Sequence, residues 1–323
     1  MATGKVQLAA KSHLGLGIET TLGTAVAATG WVPVMRYGPG FVPTFVEDTG
    51  ARGTVYETYG EILATDHSTY TMGGMLYPGS GGNLLAAVTG LDTVTGTSPY
   101  THTFAFQDTP KSVTISDTYL NAQGISVGRQ FPGSRCRRLQ LKFTPTTGLS
   151  YTADFIGFPS ATYTPETPTF GTDDYFIGSG GAITFGGTSD AALSSFSLDI
   201  QRTNSEPVFS AQNSQTPYDI FMGRVRVDWD LEFYMSSDAE IAYALSQATE
   251  VTAATVTQAG TGDVLTLTSS GLQFTKPVIN RSLTKWVIAR ISGRAVYNAT
   301  DSGVLQMTLK NAVSTSYTTQ AAS

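Results

Sequence analysis

The chain is predicted to be all-β, mainly strands with short flanking helices, and three observations carry that prediction. From Val225 to Met235 every second residue is apolar (Val225, Val227, Trp229, Leu231, Phe233, Met235), against Arg224, Arg226, Asp228, Asp230, Glu232 and Tyr234 on the alternate positions. A period of two is that of a strand with one buried face. Composition agrees: 34 glycines, a charged fraction of 14% and abundant Thr, Ser, Val and Tyr favour strands and turns over long helices. Finally, "CRRLQLKF", the turn "TPTTG" and "LSYTADFI" read as a hairpin, with Leu139, Leu141 and Phe143 facing the same way as Leu149, Tyr151, Ala153 and Phe155.

Along the chain, residues 1–50 are rich in Gly, Ala, Thr and Pro without sustained periodicity and predict an extended arm with no core of its own. Residues 51–157 form a first β-rich block. It contains the alternating "HSTYTMGGMLY", then "PGSGGNLLAAVTG", where Asn83 is placed to cap a short helix over Leu84 to Val88 that stops at Gly90. The strands "YTHTFAF", "KSVTISD" and "GISVG" follow, and the hairpin closes the block. Residues 158–173, with Pro159, Pro165 and Pro168, read as a semi-rigid linker.

A second block spans 174–311, followed by a polar tail, 312–323. The two-faced strand leads into "SSDAEIAYALSQA", where Ser237 and Glu240 make a capping box and Ile241, Ala244 and Leu245 an apolar stripe. Further strands end on "GVLQMTLK". The order strand, short helix, strands, terminal hairpin thus occurs twice. Helix starts near 80 and 237 lie about 157 positions apart, and the last turns, near 146 and 300, about 154 apart, which predicts a tandem duplication. Trp229, Leu231, Phe233, Leu139, Leu141 and Phe143 are the predicted core.

Several functions are disfavoured. A net charge of −6 and a pI near 5.0 oppose a protein that grips nucleic acid. The single cysteine, Cys136, forms no intrachain disulfide and reads as a buried strand residue, although Arg135, Arg137 and Arg138 beside it would lower a thiol pKa. The opening residues predict no secretory leader, and no run of about 18 apolar residues predicts a membrane-spanning helix. Alternating strands also occur in transmembrane barrels, a reading disfavoured without an export signal. His13, His67 and His102 have no partners at metal-ligand spacing, and no G-x-S-x-G elbow is present. "YPGSGGN" lacks the lysine and βαβ setting of a phosphate loop and reads as a loop entering a helix. Asp228, Asp230 and Glu232 line one strand face; with Arg224 and Arg226 beside them they read as a charged wall rather than an acid/base pair. No cofactor or metal is expected.

Three stretches together resemble the major tail tube proteins of long-tailed, non-contractile bacteriophages: "GIETTLGTAVAATGWVPV" (17–34), "PYTHTF" with "SVTIS" and "CRRLQLKFTPTTGLSYTADFIG", and "SFSLDIQRTNSEPVFSAQNSQTPYDIFMGRVRVDWDLEFY" (196–234). The first half departs from the likeness in that "HSTYTMGGMLY" is far less charged than its counterpart. The resemblance implies two tandem β-sandwich or barrel domains contributing strands to a large barrel between subunits. It implies self-assembly into stacked rings, a trimer of duplicated chains being favoured over a hexamer, and a lumen that double-stranded DNA crosses without specific binding. Tape-measure, terminator and tip proteins are the implied further partners, with no membrane, in the virion tail after assembly in the host cytoplasm. Arg224, Arg226, Asp228, Asp230 and Glu232 become candidates for the lumen or an inter-subunit wall, and Leu16, Ile18, Trp31 and Val32 for an inter-ring arm. A decoration or fibre-like virion protein and a carbohydrate-active β-protein remain the alternatives.

Overall fold

Strand alternation governs nearly every segment of the computed structural model, which describes residues 6–319 except 122–123, 125, 186–187, 191–192, 212–213, 236–241, 243–244, 246–248, 259–260, 276 and 281–285. The first half comprises β1 (Gln7–Ile18), β2 (Gly30–Val32), β3 (Arg36–Asp48), β4 (Gly60–Met75), helix α1 (Pro78–Thr89), β5 (Gly90–Thr95), β6 (Tyr100–Phe106), β7 (Val113–Asn121), β8 (Ser126–Thr144), β9 (Gly148–Gly157) and β10 (Ala161–Tyr163). The second comprises β11 (Gly181–Phe185), β12 (Thr188–Asp190), β13 (Leu193–Arg202), β14 (Glu206–Val208), β15 (Asp219–Phe221), β16 (Val225–Tyr234), β17 (Thr249–Thr257), β18 (Val264–Phe274), β19 (Val278–Asn280), β20 (Ile288–Ala295) and β21 (Gln306–Asn311).

Eight strands pair antiparallel in the order β3–β4–β9–β8–β13–β16–β20–β19. Four come from each half, and the halves meet where β8 runs against β13 with Phe143 opposite Phe196 and Leu141 opposite Leu198. A second layer runs β5–β6–β21–β18–β17–β11–β12, so β21 from the end of the chain pairs with β6 of the first half. Apolar residues from both layers form one cluster, including Leu139, Leu141, Phe143, Trp229, Leu231 and Phe233 from the eight-stranded sheet and Leu265, Leu267, Met307 and Leu309 from the other. The Trp229 indole N–H donates to Ser269 Oγ at 3.0 Å across the layers, so its one polar atom is partnered inside the core.

The 1–50 arm is corrected by this packing. β1 lies against β7 from Leu14↔Asp117 to Ile18↔Val113, and against β2 with Leu14 opposite Val32. Leu16, Trp31 and Val32 are buried and Ile18 is partly buried against the same core, so these four are not free to reach another ring. The buried Glu19 carboxylate fixes the segment: it accepts from Gly133 N at 2.8 Å, Gly23 N at 2.9 Å, and the Ser112 and Thr114 hydroxyls at 2.7 Å each. The strand escapes sequence reading because its apolar alternation, Leu14, Leu16 and Ile18, is short and set against glycines at 15 and 17. A Cβ on Gly15 would come within 2.5 Å of Ala28 Cβ.

The helix is also longer than expected. α1 begins at Pro78, whose fixed φ suits the first turn, and Asn83 lies inside it, buried, rather than at its cap. Its stop at Gly90 is as expected, with φ 100°. Asp173, from the Pro-rich segment, accepts the Gly79 N–H at 2.7 Å and so takes the capping role. That segment is bound to the body: β10 pairs with β8, and Glu166 Oε2 accepts from Ala28 N at 3.0 Å. In the second half, the chain turns between Asn298 and Gly303, but β21 pairs with β18 and β6 rather than with β20; the counterpart of the β8–β9 hairpin is β19–β20. Of the expected second helix, Ser237, Glu240, Ile241 and Ala244 lie outside the described residues, while Ala242 and Leu245 are helical and exposed.

Candidate functional site: a polar sheet face with two open edges

Alternation that buries Trp229 and its neighbours turns the other side of the eight-stranded sheet outward. On β16 this presents Arg226, Asp228, Asp230 and Glu232, with exposed Arg224 just before the strand. Register decides their neighbours. Asp228 stands opposite Arg294, Asp230 opposite Ser292 and Glu232 opposite Arg290 on β20, while on the β13 side Asp228 stands opposite Asp199. That like-charge pair is relieved on both sides. Arg226 Nε and Arg294 Nε reach Asp228 at 2.5 and 3.0 Å, and Arg138 on β8 holds Asp199 through two bonds of 2.9 and 2.8 Å. Arg290 lies 3.7 Å from Asp230, whose carboxylate also accepts from the Ser292 hydroxyl. Ser195 donates to Glu232 at 2.9 Å.

Farther along the face, Thr71 on β4 donates to Asp154 on β9 at 2.7 Å, and Arg36 on β3 donates to the Thr152 hydroxyl at 2.5 Å. Arg36, Arg138, Lys142, Arg226, Arg290 and Arg294 thus share the face with Asp154, Asp199, Asp228, Asp230 and Glu232. The charges nearly cancel, so the net −6 of the chain is carried mainly elsewhere and the wall is not a net acidic surface. The partners on β8, β13 and β20 escaped sequence reading, although "IARISGRA" repeats the same alternation with Arg290, Ser292 and Arg294.

Both edges of this sheet are open among the described residues: β3 pairs only with β4, and β19 only with β20. Pro39 and Pro43 sit in β3, where an edge strand tolerates their missing N–H groups. Large apolar side chains gather at the same two edges. Phe41, Phe45, Val46 and Ile62 are exposed along the β3–β4 ribbon, and Val278, Ile279 and Trp286 at the other end, where Trp286 packs edge-on against Tyr234 at 5.6 Å.

Titratable groups inside the fold hold structure. His102 is fully buried, with Nδ1 2.9 Å from Asp92 Oδ2 and Nε2 2.9 Å from the Val313 carbonyl. Burial pushes the Cys136 thiol up to about 12, outweighing the neighbouring arginines, so it is an inert core residue. Asp117 is raised by burial although the Tyr70 and Tyr119 hydroxyls donate to it at 2.8 and 2.5 Å. Among the described residues no group of three or more His, Cys, Asp or Glu side chains is arranged to hold a metal ion.

The fold and its outer face define a two-layered antiparallel β-protein with a charge-balanced wall and apolar open edges. The family described as phage tail tube protein matches residues 9–319, nearly the whole chain. The chain belongs to that family and is a structural protein of the phage virion, a building block of the tail tube. No curated protein matches it.

Proposed function

We propose that three copies close into a ring whose inner wall is the polar face, and that rings stack into a tube through which double-stranded DNA leaves the virion. The observation that carries this is the eight-stranded sheet, polar on one face and apolar along two open edges. Its internal junction supplies the template. β8 of the first half meets β13 of the second within one chain, and the equivalent junction between chains brings β19 of one copy beside β3 of the next. Such a heterologous contact closes into a ring when the rotation fits, and it covers edges that otherwise invite aggregation.

Bore size supports three copies. With strands about 4.8 Å apart and tilted by about 40°, and an inner side-chain layer about 5 Å deep, two copies leave a clear bore of about 22 Å, three about 38 Å and six about 86 Å. A duplex about 20 Å across leaves no room for a water layer in the first, passes the second with room for water and rattles in the third. The wall suits passage because Arg138, Arg226, Arg290 and Arg294 are paired with carboxylates, which lowers the cationic charge that the central strands offer to phosphates. Stacking falls to residues 49–59 between β3 and β4, where Val55 and Tyr56 are exposed, and not to β1. The reading is structural rather than enzymatic, without cofactor or membrane. It carries with it a tape-measure protein inside the growing tube, terminator and tip proteins at its ends, and assembly in the host cytoplasm.

Electron microscopy of the purified protein tests it, together with oxidation of a Pro39→Cys, Ile279→Cys variant, whose two positions share the core-facing side of the sheet. Threefold hollow rings and cross-linked closed trimers are expected. Monomers at high concentration, or rings holding six chains, would overturn the trimer.

A further inference from the structure

A cavity of about 260 Å³ opens beside the start of α1, between the N-terminal segment, the Pro-rich segment and the C-terminal tail. Neither the sheet wall nor the open edges use it. Its lining includes three electron-rich rings, Trp31, Tyr77 and Tyr317, together with Asp173 and Asn83, and among the described residues it contains no Lys, Arg or His. The site is built from buried groups. Asn83 is only 3% exposed, its Nδ2 donates to the Ser80 carbonyl at 3.2 Å, and its Oδ1 has no partner among the described residues. Tyr317 is buried and donates its hydroxyl to the Gly79 carbonyl at 2.7 Å, which locks that ring in place.

The position at a helix N-terminus would ordinarily favour an anion. Here that role is already filled, because Asp173 Oδ2 accepts the Gly79 N–H at 2.7 Å. A full carboxylate charge outweighs the roughly half charge of a helix end, so the balance at the cavity is negative. The surroundings agree: burial raises the pKa of Tyr77 most, and the nearby Asp173 and Asp174 raise it further.

We propose that this cavity binds an alkylammonium or alkylguanidinium group. Acceptor oxygens of Asn83 and Asp173 meet its N–H donors, and the aromatic rings meet its charge and its methylenes. Two sources share that chemistry, a lysine or arginine side chain from another subunit of the assembly and a free small amine.

The test uses the full chain labelled with 5-fluorotryptophan, whose three indoles give three fluorine resonances, Trp31 being assigned by Trp31→Phe. Titration with butylguanidinium should shift the Trp31 resonance saturably, while neutral butylurea should leave it at least tenfold less responsive. Asp173→Asn keeps an acceptor for Gly79 and should weaken the response to butylguanidinium at least tenfold. Equal responses to the charged and neutral compounds, or none to either, overturn the proposal, and this comparison on the unmodified chain decides even if the variant unfolds. Tube growth in the presence of butylguanidinium separates the sources. Slowed growth assigns the site to a neighbour's side chain, and unaltered growth with an intact Trp31 shift assigns it to a free amine. The binding result stands or falls independently of whether the rings are trimers.

Discussion

Arg138 on β8 and Asp199 on β13 are joined by two parallel hydrogen bonds, of 2.9 and 2.8 Å, across the line where the two halves of the chain meet. The fork geometry fixes register as well as charge. It also keeps Asp199 from facing Asp228 unrelieved. Because the Arg138 side chain is 41% exposed, solvent screens the pair. A double-mutant cycle of Arg138→Ala and Asp199→Ala, read by denaturant unfolding, should give a coupling of about 1 kcal/mol that shrinks in high salt. A coupling indistinguishable from zero would leave the seam to the backbone ladder and to apolar pairs such as Leu141–Leu198 and Phe143–Phe196.

Trp229→Ala should destabilise the chain by about 3–5 kcal/mol, since the residue is fully buried between the two layers. Trp229→Phe should cost less. It loses the indole bond to Ser269, yet the Ser269 hydroxyl still has the Val304 carbonyl to donate to, at 3.1 Å. A near-neutral melting shift for the alanine variant would contradict the packing.

These two sites show what the sequence could disclose. Strict alternation over ten residues exposed both faces of β16, because burial on one side alone produces that period. Partners across the sheet could not be read the same way. Arg294 and Asp228 are 66 positions apart, and only register makes them neighbours. β1 was hidden for a different reason. Gly15 and Gly17 occupy places where side chains would strike Ala28 and the Ala27 carbonyl, so the apolar alternation Leu14, Leu16, Ile18 is short and set against glycines instead of polar residues. The charged strand was legible by its alternation and the fold by class, whereas the anchoring of residues 7–35 depended on long-range contacts such as those of Glu19.

Glu19→Ala should cost about 3 kcal/mol, because it leaves the Gly133 N–H and the Ser112 and Thr114 hydroxyls buried without their acceptor. Removing residues 1–20 takes away β1 with Leu14 and Leu16 as well, and should abolish cooperative thermal unfolding rather than merely weaken assembly. A truncated chain that melts within a few degrees of the full one would show β1 to be dispensable for folding.

Stability should also depend on His102. Burial disfavours its charge, but the Asp92 carboxylate and the Val313 carbonyl outweigh that cost and raise its pKa above the ordinary value. A group whose folded pKa is raised stabilises fully below its unfolded value, about 6.5, and loses that contribution as pH rises through the folded value. The melting advantage of the unmodified chain over His102→Gln should therefore be larger near pH 5.5 than well above the folded pKa. A gap that is flat or widens with pH would mean that His102 is held neutral.

The wall itself yields the most direct test of passage. Asp228→Asn, Asp230→Asn and Glu232→Gln preserve shape but release Arg226, Arg290 and Arg294 from their carboxylates. Each freed guanidinium that finds a phosphate steepens the fall of log affinity with log salt by about 0.9. Assembled tubes carrying all three changes should therefore retain short duplex DNA at low salt, release it near 0.5 M salt, and show a slope up to about 2.7 units steeper than unmodified tubes. Net charge alone could produce some of this, so the control removes three carboxylates from the opposite side of the assembly. If that control retains DNA equally well, or the wall variant retains none, the polar face of β16 and β20 does not line the channel.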